Sequence, residues 1–311
     1  DAQLLTPANA GVPVEYTAFL DPAVIRILNA PTRARSIASE RKIGDWTTPY
    51  ARFTQIEQTG YVQPYDDYAD NGKSDINATF PTRENFVFET VIEYGDRESD
   101  MLGRARINLV SEKQMSAATT IDLALNRFYF SGVAGLQNFG LLNDPSLPTA
   151  LTPANDGTAD APVTKWEQKT AVQIYNDILS MVADLSNRSM GYIDENSRLK
   201  LVVSPKISAM LLKTSDLMTN SVKALLQQSL PNLEIVVVPE MSTAAGELVQ
   251  LWADIIRADG VENRTVDLVY SEKMRAGRVV PHLSHFKQKF VAGTFGAIIF
   301  QPIAISQMLG V

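Results

Sequence analysis

Between Pro81 and Pro145 the chain contains no proline, and from Asp96 to Phe130 its one glycine is Gly103. Within that run, apolar residues fall at Ile107, Val110, Ala118, Ile121, Leu125 and Phe128, in steps of three and four interrupted once at Gln114. The period places an apolar stripe along one helix. A helix of about 34 residues extends roughly 50 Å at ~1.5 Å per residue. That is more than a small domain needs, so the pattern predicts a strut with something large braced along it. The chain then turns through FSGVAGLQNFGLLNDP, Phe130 to Pro145. Gly132, Gly135 and Gly140 end the helix and allow a tight reversal before Leu141, Leu142 and Asn143. This closure reads as architecture, not as a catalytic loop.

Composition narrows what the strut can serve. A length of 311 residues points to about two domains, with ample chain for a core. An apolar fraction of 45% with 20% charged residues is that of a folded protein, which excludes wholesale disorder. The absence of cysteine excludes disulfides, iron–sulfur clusters, thiolate zinc sites and cysteine nucleophiles. Robustness must then come from packing, subunit contacts or another kind of crosslink. The net charge of −7 argues against condensation of the whole chain onto nucleic acid. No window reaches the ~18 apolar residues of a membrane span, and no secretory-signal pattern opens the sequence.

Four regions follow one another along the chain. Residues 1–42 carry four prolines (Pro7, Pro13, Pro22, Pro31) and only short apolar runs, and read as an arm without a core of its own. Its segment from Arg26 to Lys42 holds Arg26, Arg33, Arg35, Arg41 and Lys42 against Glu40 alone, a local charge of +4. Residues 43–95 read as an extended excursion. Asn85 to Tyr94 alternates as a strand, a weaker strand covers Ala51 to Glu57, and Asn71–Gly72 between them is a hairpin-type turn signal. Residues 61–100 hold ten acids, Asp66, Asp67 and Asp70 among them, against Lys73, Arg83 and Arg97, a local charge of −7. In an assembly, one copy's basic arm could settle on another's acidic excursion.

The strut and turn form the third region, and the small-residue run PANDGTADAP after Pro148 reads as a surface loop or domain junction. In the fourth, 163–270, helices alternate with strands. Trp166, Val172, Tyr175, Ile178, Leu179, Val182 and Leu185 suit an amphipathic helix, and Leu199–Val203, Leu233–Val238 and Val266–Tyr270 suit strands of one central sheet. Ser204–Pro205 supplies an N-cap and first-turn proline, and a further helix from Val222 stops before Pro231. Lys289 to Phe300 then returns as a long apolar strand containing Gly293 and Gly296.

Catalytic patterns are missing. No G-x-G-x-x-G or G-x-x-x-x-G-K-[ST] follows a strand, and no serine sits in G-x-S-x-G. His282 and His285, the only histidines, follow Pro281 and have no third ligand nearby, so they read as surface or hinge residues. The acids of the excursion lack the D-x-[DN]-x-[DN]-G calcium register. The basic arm has no interleaved aromatics for stacking on bases.

A long helix, a small-residue turn and then GLLN before an acid and a proline resembles the major capsid proteins of tailed bacteriophages, the Hong Kong 97 fold. The resemblance runs in order along most of the chain. It implies an α+β fold with an N-terminal arm (1–42), an extended β loop (43–95), a spine helix and the start of a peripheral domain (96–153), an axial α/β domain (154–276), and a peripheral return strand with the C-terminus (277–311). The runs GDW (Gly44–Trp46), YDDYADNGKSD and GAIIFQPIAI add to it.

Such resemblance implies function by self-assembly: pentamers and hexamers forming an icosahedral virion shell around double-stranded DNA, built in the host bacterial cytoplasm. It brings decoration, scaffolding and portal proteins as partners and weak, non-specific contact with packaged DNA. It implies no catalytic residue, metal, cofactor or membrane. Arg26, Arg33, Arg35, Asp66, Asp67, Asp70 and Lys73 are the expected assembly contacts. Some relatives join loop to neighbour by a lysine–asparagine isopeptide bond; Lys73 is the one lysine placed for it, although a solvated lysine beside a turn is the simpler reading. Two rivals remain: an encapsulin-type nanocompartment shell, and an α/β metabolic enzyme with an N-terminal β extension.

Overall fold

The computed structural model describes residues 32–68, 72–104, 108–158, 162–215, 218–256, 262–263 and 265–311. Arg26, Asp70 and the Asn71 of the expected turn lie outside them. The described residues open with a short helix α1 (Ala34–Ile37) and strand β1 (Ser39–Lys42), then β2 (Tyr50–Arg52), β3 (Gln55–Tyr61), β4 (Lys73–Thr79), β5 (Thr82–Glu84) and β6 (Phe86–Gly95). Helices α2 (Asp96–Arg104) and α3 (Leu109–Ser131) follow, and then α4 (Ala171–Arg188). The main elements after it are β7 (Leu199–Val203), α5 (Pro205–Met210), α6 (Val222–Ser229), β8 (Leu233–Val237), β9 (Gly246–Ala253), β10 (Val266–Pro281), β11 (His285–Ile299) and β12 (Ile305–Leu309), with short strand pieces between them.

The strut is two helices, which corrects the single helix expected from Asp96 to Phe130. Asn108 has extended backbone (φ −83°, ψ 92°), and its side-chain oxygen accepts from the Ser111 amide at 3.2 Å. An asparagine that caps a new helix outcompetes continuation of the old one, because it satisfies a first-turn N–H left without an intrahelical partner. Lys113 holds the two pieces together by donating to the Glu93 carbonyl at 2.7 Å and pairing with Glu98 at 3.0 Å. The remaining 23-residue helix is the one that carries the core.

Two sheets enclose α3. The first has the order β1-β10-β11-β6, with β1 parallel to β10 and the other neighbours antiparallel. Ala117, Ile121, Leu125, Tyr129 and Phe130 of α3 bury against Ile92, Leu268, Phe290, Ala292 and Ile299 of that sheet. The second sheet, β8-β7-β9-β12, pairs β7 parallel to β8 and antiparallel to β9. Its strands alternate with period two between two cores. Val202, Leu248 and Trp252 join the α3 cluster, whereas Leu201, Val203, Val249 and Leu251 pack with Ile174, Ile178, Met181 and Leu185 of α4. A strand buried on both faces reads as a continuous apolar run, which is why LKLVV contains no clean alternation.

Three sequence expectations change here. Val266–Tyr270 is not a strand of the central α/β sheet; it opens the 16-residue β10 of the first sheet. Charged residues from Glu272 to Arg278 hide its continuation, because the far half of this ribbon is exposed on both faces. Trp166 precedes α4, and Val172 is exposed, so the buried face of α4 runs through Ile174 and Met181 instead. Phe86–Gly95 alternates as expected but pairs with β11, while the hairpin partner of β3 is β4.

The GLLN turn closes α3 chemically. Leu141 N–H donates to the Tyr129 carbonyl at 2.8 Å and Leu142 N–H to the Phe130 carbonyl at 3.0 Å. Asn143 donates from Nδ2 to the Ser131 carbonyl and accepts the Gly140 N–H, both at 2.7 Å. The terminal carbonyls that a helix leaves open are thereby filled. Gly140 is required by proximity: a Cβ there would stand 2.3 Å from the Phe130 oxygen. Gly296 is a second such crossing, with φ +79° and a Cβ position 2.2 Å from the Phe139 oxygen. Replacing Gly140 by Ala should therefore lower subunit stability by about 1–3 kcal/mol through forced backbone displacement. Calorimetry of disassembled subunits checks this, and an unchanged Tm would contradict the close approach.

Candidate assembly surfaces

The excursion is fixed at its base and free beyond it. At the base, Arg83 Nη2 donates to Asp144 Oδ2 at 2.7 Å, with both side chains largely out of solvent, and the guanidinium lies 4.9 Å over the Phe139 ring. Glu84 N–H donates to the Gln137 carbonyl at 3.0 Å, and Gln137 N–H returns to the Glu84 carboxylate at 3.1 Å. Asn138 donates to the carbonyls of Glu84 and Thr294 at 3.1 and 2.9 Å. The same turn that closes α3 thus anchors the loop, through residues that composition and charge counting did not single out. The signal lay in Asp144 directly after GLLN, a buried acid that needed a cation.

Beyond that anchor, β3 and β4 form an antiparallel ribbon from Gln55↔Thr79 to Tyr61↔Lys73. All its residues past Gln55 are exposed. At the tip, Asp66 accepts from the Tyr68 N–H at 3.1 Å and Asp67 from the Tyr65 hydroxyl at 2.6 Å. Lys73 is exposed at the start of β4.

The arm is partly built into its own subunit. Ala34, Ile37 and Ala38 are buried; Ala34 N–H donates to Asn126 at 3.0 Å, and Lys200 donates to the Ile37 carbonyl at 3.1 Å. Arg35 pairs with Glu40 at 2.7 Å and with Asp122 of α3 at 2.5 Å. Arg41 pairs with Asp267 at 3.2 Å, Lys42 with Glu272 at 3.1 Å, and Lys273 closes on the far side of Glu40. The arm's cations from Arg35 onward therefore meet acids of their own chain. Arg33, exposed just before α1, has no ion pair among the described residues. No ion pair among them joins Arg33 or Arg35 to Asp66 or Asp67 in one subunit.

His282 lies in the turn after β10 and His285 opens β11; His282 N–H donates to the His285 carbonyl at 2.8 Å and the rings stack 4.6 Å apart. They share a hairpin, not a helix. Among the described residues no group of three or more histidines and acids could hold a metal ion, and no helix is long and apolar enough to cross a membrane.

The described residues thus combine a pinned base, an exposed ribbon, a braced helix and two sheets. The family model described as Pa193 gp26 major capsid protein matches residues 3–310. The chain belongs to this family. Its fold is that of the Hong Kong 97 capsids. The capsid protein of Myoviridae phage XM1 is similar over 97% of this chain and 100% of its own, with a TM-score of 0.76 at 12% identity. A native GTA particle capsid protein covers 94% and 95% with a TM-score of 0.65 at 11% identity. The virus-like particle of Pyrococcus furiosus covers 89% and 92% at 13% identity, with the lower TM-score of 0.52. No curated protein sequence matches the chain. The capsid protein is thus a structural component of a phage shell; the family is not one of enzymes, and the nanocompartment alternative is not favoured.

Electrostatics of the arm anchor have a testable sign. Burial works to raise the Glu40 carboxyl pKa, but hydrogen bonds from Lys273 and Arg35 outweigh it and hold the group below its ordinary 4.5. A depressed carboxylate stabilises the fold above its unfolded value and loses that contribution as pH falls through the native one. Amide protection factors (intrinsic over measured exchange rate) across residues 34–42 should hold from neutral pH down to about 4.5 and fall below it. Glu40→Gln should flatten that dependence.

Removing one partner of the buried base pair tests the loop anchor. Arg83→Met leaves the Asp144 charge unpaired and should cost about 3–5 kcal/mol by denaturant unfolding. The double change with Asp144→Leu should recover a substantial part.

Proposed function

We propose that copies of this capsid protein form pentamers and hexamers that tile an icosahedral head around double-stranded DNA, with each ribbon reaching over a neighbouring copy. The observation that carries the reading is the β3–β4 ribbon itself, an ordered hairpin anchored by a buried ion pair yet exposed along its length. An isolated two-stranded hairpin is marginal in water, so the contacts that hold it flat are those of the assembled shell. Burial distributed over such overlaps suits a cysteine-free lattice.

In this reading residues 1–42 are the arm, 43–95 the extended loop, 96–153 the spine and the start of the peripheral domain, 154–276 the axial domain and 277–311 the peripheral return with the C-terminus. Strand pairing, β10 with β1 and β11 and β12 with β9, supports counting β10 with the peripheral part and β12 with the axial part. Decoration, scaffolding and portal proteins, weak contact with packaged DNA and assembly in the host cytoplasm belong to the same proposal.

Charge would register one copy on the next. Arg33 is the arm cation that has no acid partner among the described residues, and Asp66 and Asp67 are exposed at the loop tip. Lys73 fits a solvated lysine better than a crosslink donor, and a denaturing gel of shells showing monomer bands alone would agree. Expressed protein should give closed particles in negative-stain micrographs. Charge reversal at Arg33 should reduce particle yield in sedimentation while leaving circular dichroism and thermal unfolding intact. Reversal at Arg35 should lower both, because it also breaks contacts to Glu40 and Asp122. Equal loss of folding in the Arg33 variant would overturn the intersubunit role.

A further inference from the structure

The β3–β4 ribbon has two chemically distinct faces. Residues directly opposite in an antiparallel ladder point to the same side, and neighbours along a strand point to opposite sides. The register Ile56↔Ala78, Gln58↔Ile76 and Gly60↔Ser74 defines one face with no charged residue. The register Gln55↔Thr79, Glu57↔Asn77, Thr59↔Asp75 and Tyr61↔Lys73 defines the other, which holds every charge of the two strands. Thr79 Oγ1 donates to Gln55 Oε1 at 3.3 Å, which confirms the shared side.

The faces also differ in what they look at. Gln55 Nε2 donates to the Phe300 carbonyl at 3.4 Å. Gln55, Glu57, Asn77 and Thr79 of this face, together with Ile56, line a cleft of about 850 Å³ that Arg41, Arg52 and Phe300 also line. The charged face is therefore turned toward the subunit's own body. The uncharged face meets that cleft only at Ile56, beside the ribbon's base, and is otherwise open, with Ile56 64% and Ile76 60% exposed. Among the described residues nothing covers it.

Resting on the reading of the ribbon as a bridge between copies, we infer that its uncharged face, Ile56, Gln58, Gly60, Ser74, Ile76 and Ala78, is the one seated on a second copy, while the charged face stays toward its own subunit. Two isoleucines flanked by glycine, alanine and serine make a flat apolar strip that gains by leaving water. The strip offers no cation to a phosphate backbone, so nucleic acid is the wrong occupant. A second copy is the right one because the chain is a capsid subunit and no described residue of its own fold covers this side. The arrangement also places Lys73 on the opposite face from the contact, away from any asparagine beneath the strip.

One charge placed on either face separates the possibilities. Ile76→Lys puts an ammonium into the contact, where burying an unpaired charge is prohibitive. Thr59→Lys puts the same group one ladder rung away on the other face, opposite Asp75. Expressed full-length protein is sedimented, and the pelleted particles are counted by negative stain. Ile76→Lys should lower particle yield at least about tenfold with unchanged thermal unfolding of the soluble subunit, and Thr59→Lys should assemble as the parent does. Equal loss in both variants, or loss in Thr59→Lys alone, overturns the sidedness but leaves the bridge. Parent-like assembly by both overturns the bridge as well. If the parent protein forms no particles, the shell reading itself fails.

Discussion

The fold turns on the C-terminal end of one helix. An α-helix that ends inside a protein leaves carbonyls that must find donors, since an unmet buried acceptor costs on the order of 1–3 kcal/mol. Here Leu141, Leu142 and Asn143 supply them to Tyr129, Phe130 and Ser131. That forces the chain back along α3 and sets the direction in which everything after it is built. The same reversal buries Leu141 completely and delivers Asp144 to Arg83. Helix termination, core packing and loop anchoring are thus one local event. Gly140 sits where two backbones touch, which explains why the turn is written with a glycine directly before two leucines.

From that end the helix organises two layers that need not otherwise meet. The first sheet gives α3 its floor, and the second sheet presents Val202, Val236 and Trp252 to the same cluster while its reverse face packs with α4. Helix α1 adds Ala34 and Ile37 to that cluster, so the final stretch of the arm is core material. Asn126 ties these parts at one point, accepting from Ala34 N–H and donating to Glu240. Ion pairs from Arg35, Arg41 and Lys42 then lie over an already apolar attachment. The more exposed of them, such as Lys42 with Glu272, contribute about 0–1 kcal/mol each and align β1 on β10, whereas Arg41 meets the buried carboxylate of Asp267.

The order of parts was legible in the sequence because each part has its own period or punctuation. The proline-free run, the capped helix after Ser204, the apolar strands and the glycine turn all act within a few residues. What was hidden depends on partners far away in the chain. The break before Leu109 rests on one asparagine side chain in an otherwise helical pattern. The length of β10 was masked because its outer half, past Met274, is exposed and so carries no apolar alternation. The arm's cations looked free because Asp122, Asp267 and Glu272 lie about 90 or more residues further along the chain. Counting charge over a window finds an excess of one sign but cannot say which chain neutralises it. Of the expected contact residues, Arg35 is held within its own subunit, while Arg33, Asp66, Asp67 and Lys73 remain at the surface.

Why the loop base is held by a buried ion pair follows from leverage. Seven-residue strands at ~3.3 Å per residue carry the ribbon tip more than ~20 Å from the anchor. An angular slack of about 10° at the base then moves the tip by roughly 4 Å, close to one rung of a β ladder. A surface ion pair exchanging with water tolerates that slack. Arg83 and Asp144 do not, because either charge left alone in the interior is penalised heavily and the guanidinium is further fixed over Phe139. Rigidity at the base and exposure along the ribbon are therefore complementary requirements: one fixes where the strip bearing Ile56 and Ile76 is presented, and the other leaves that strip open for the surface that closes on it.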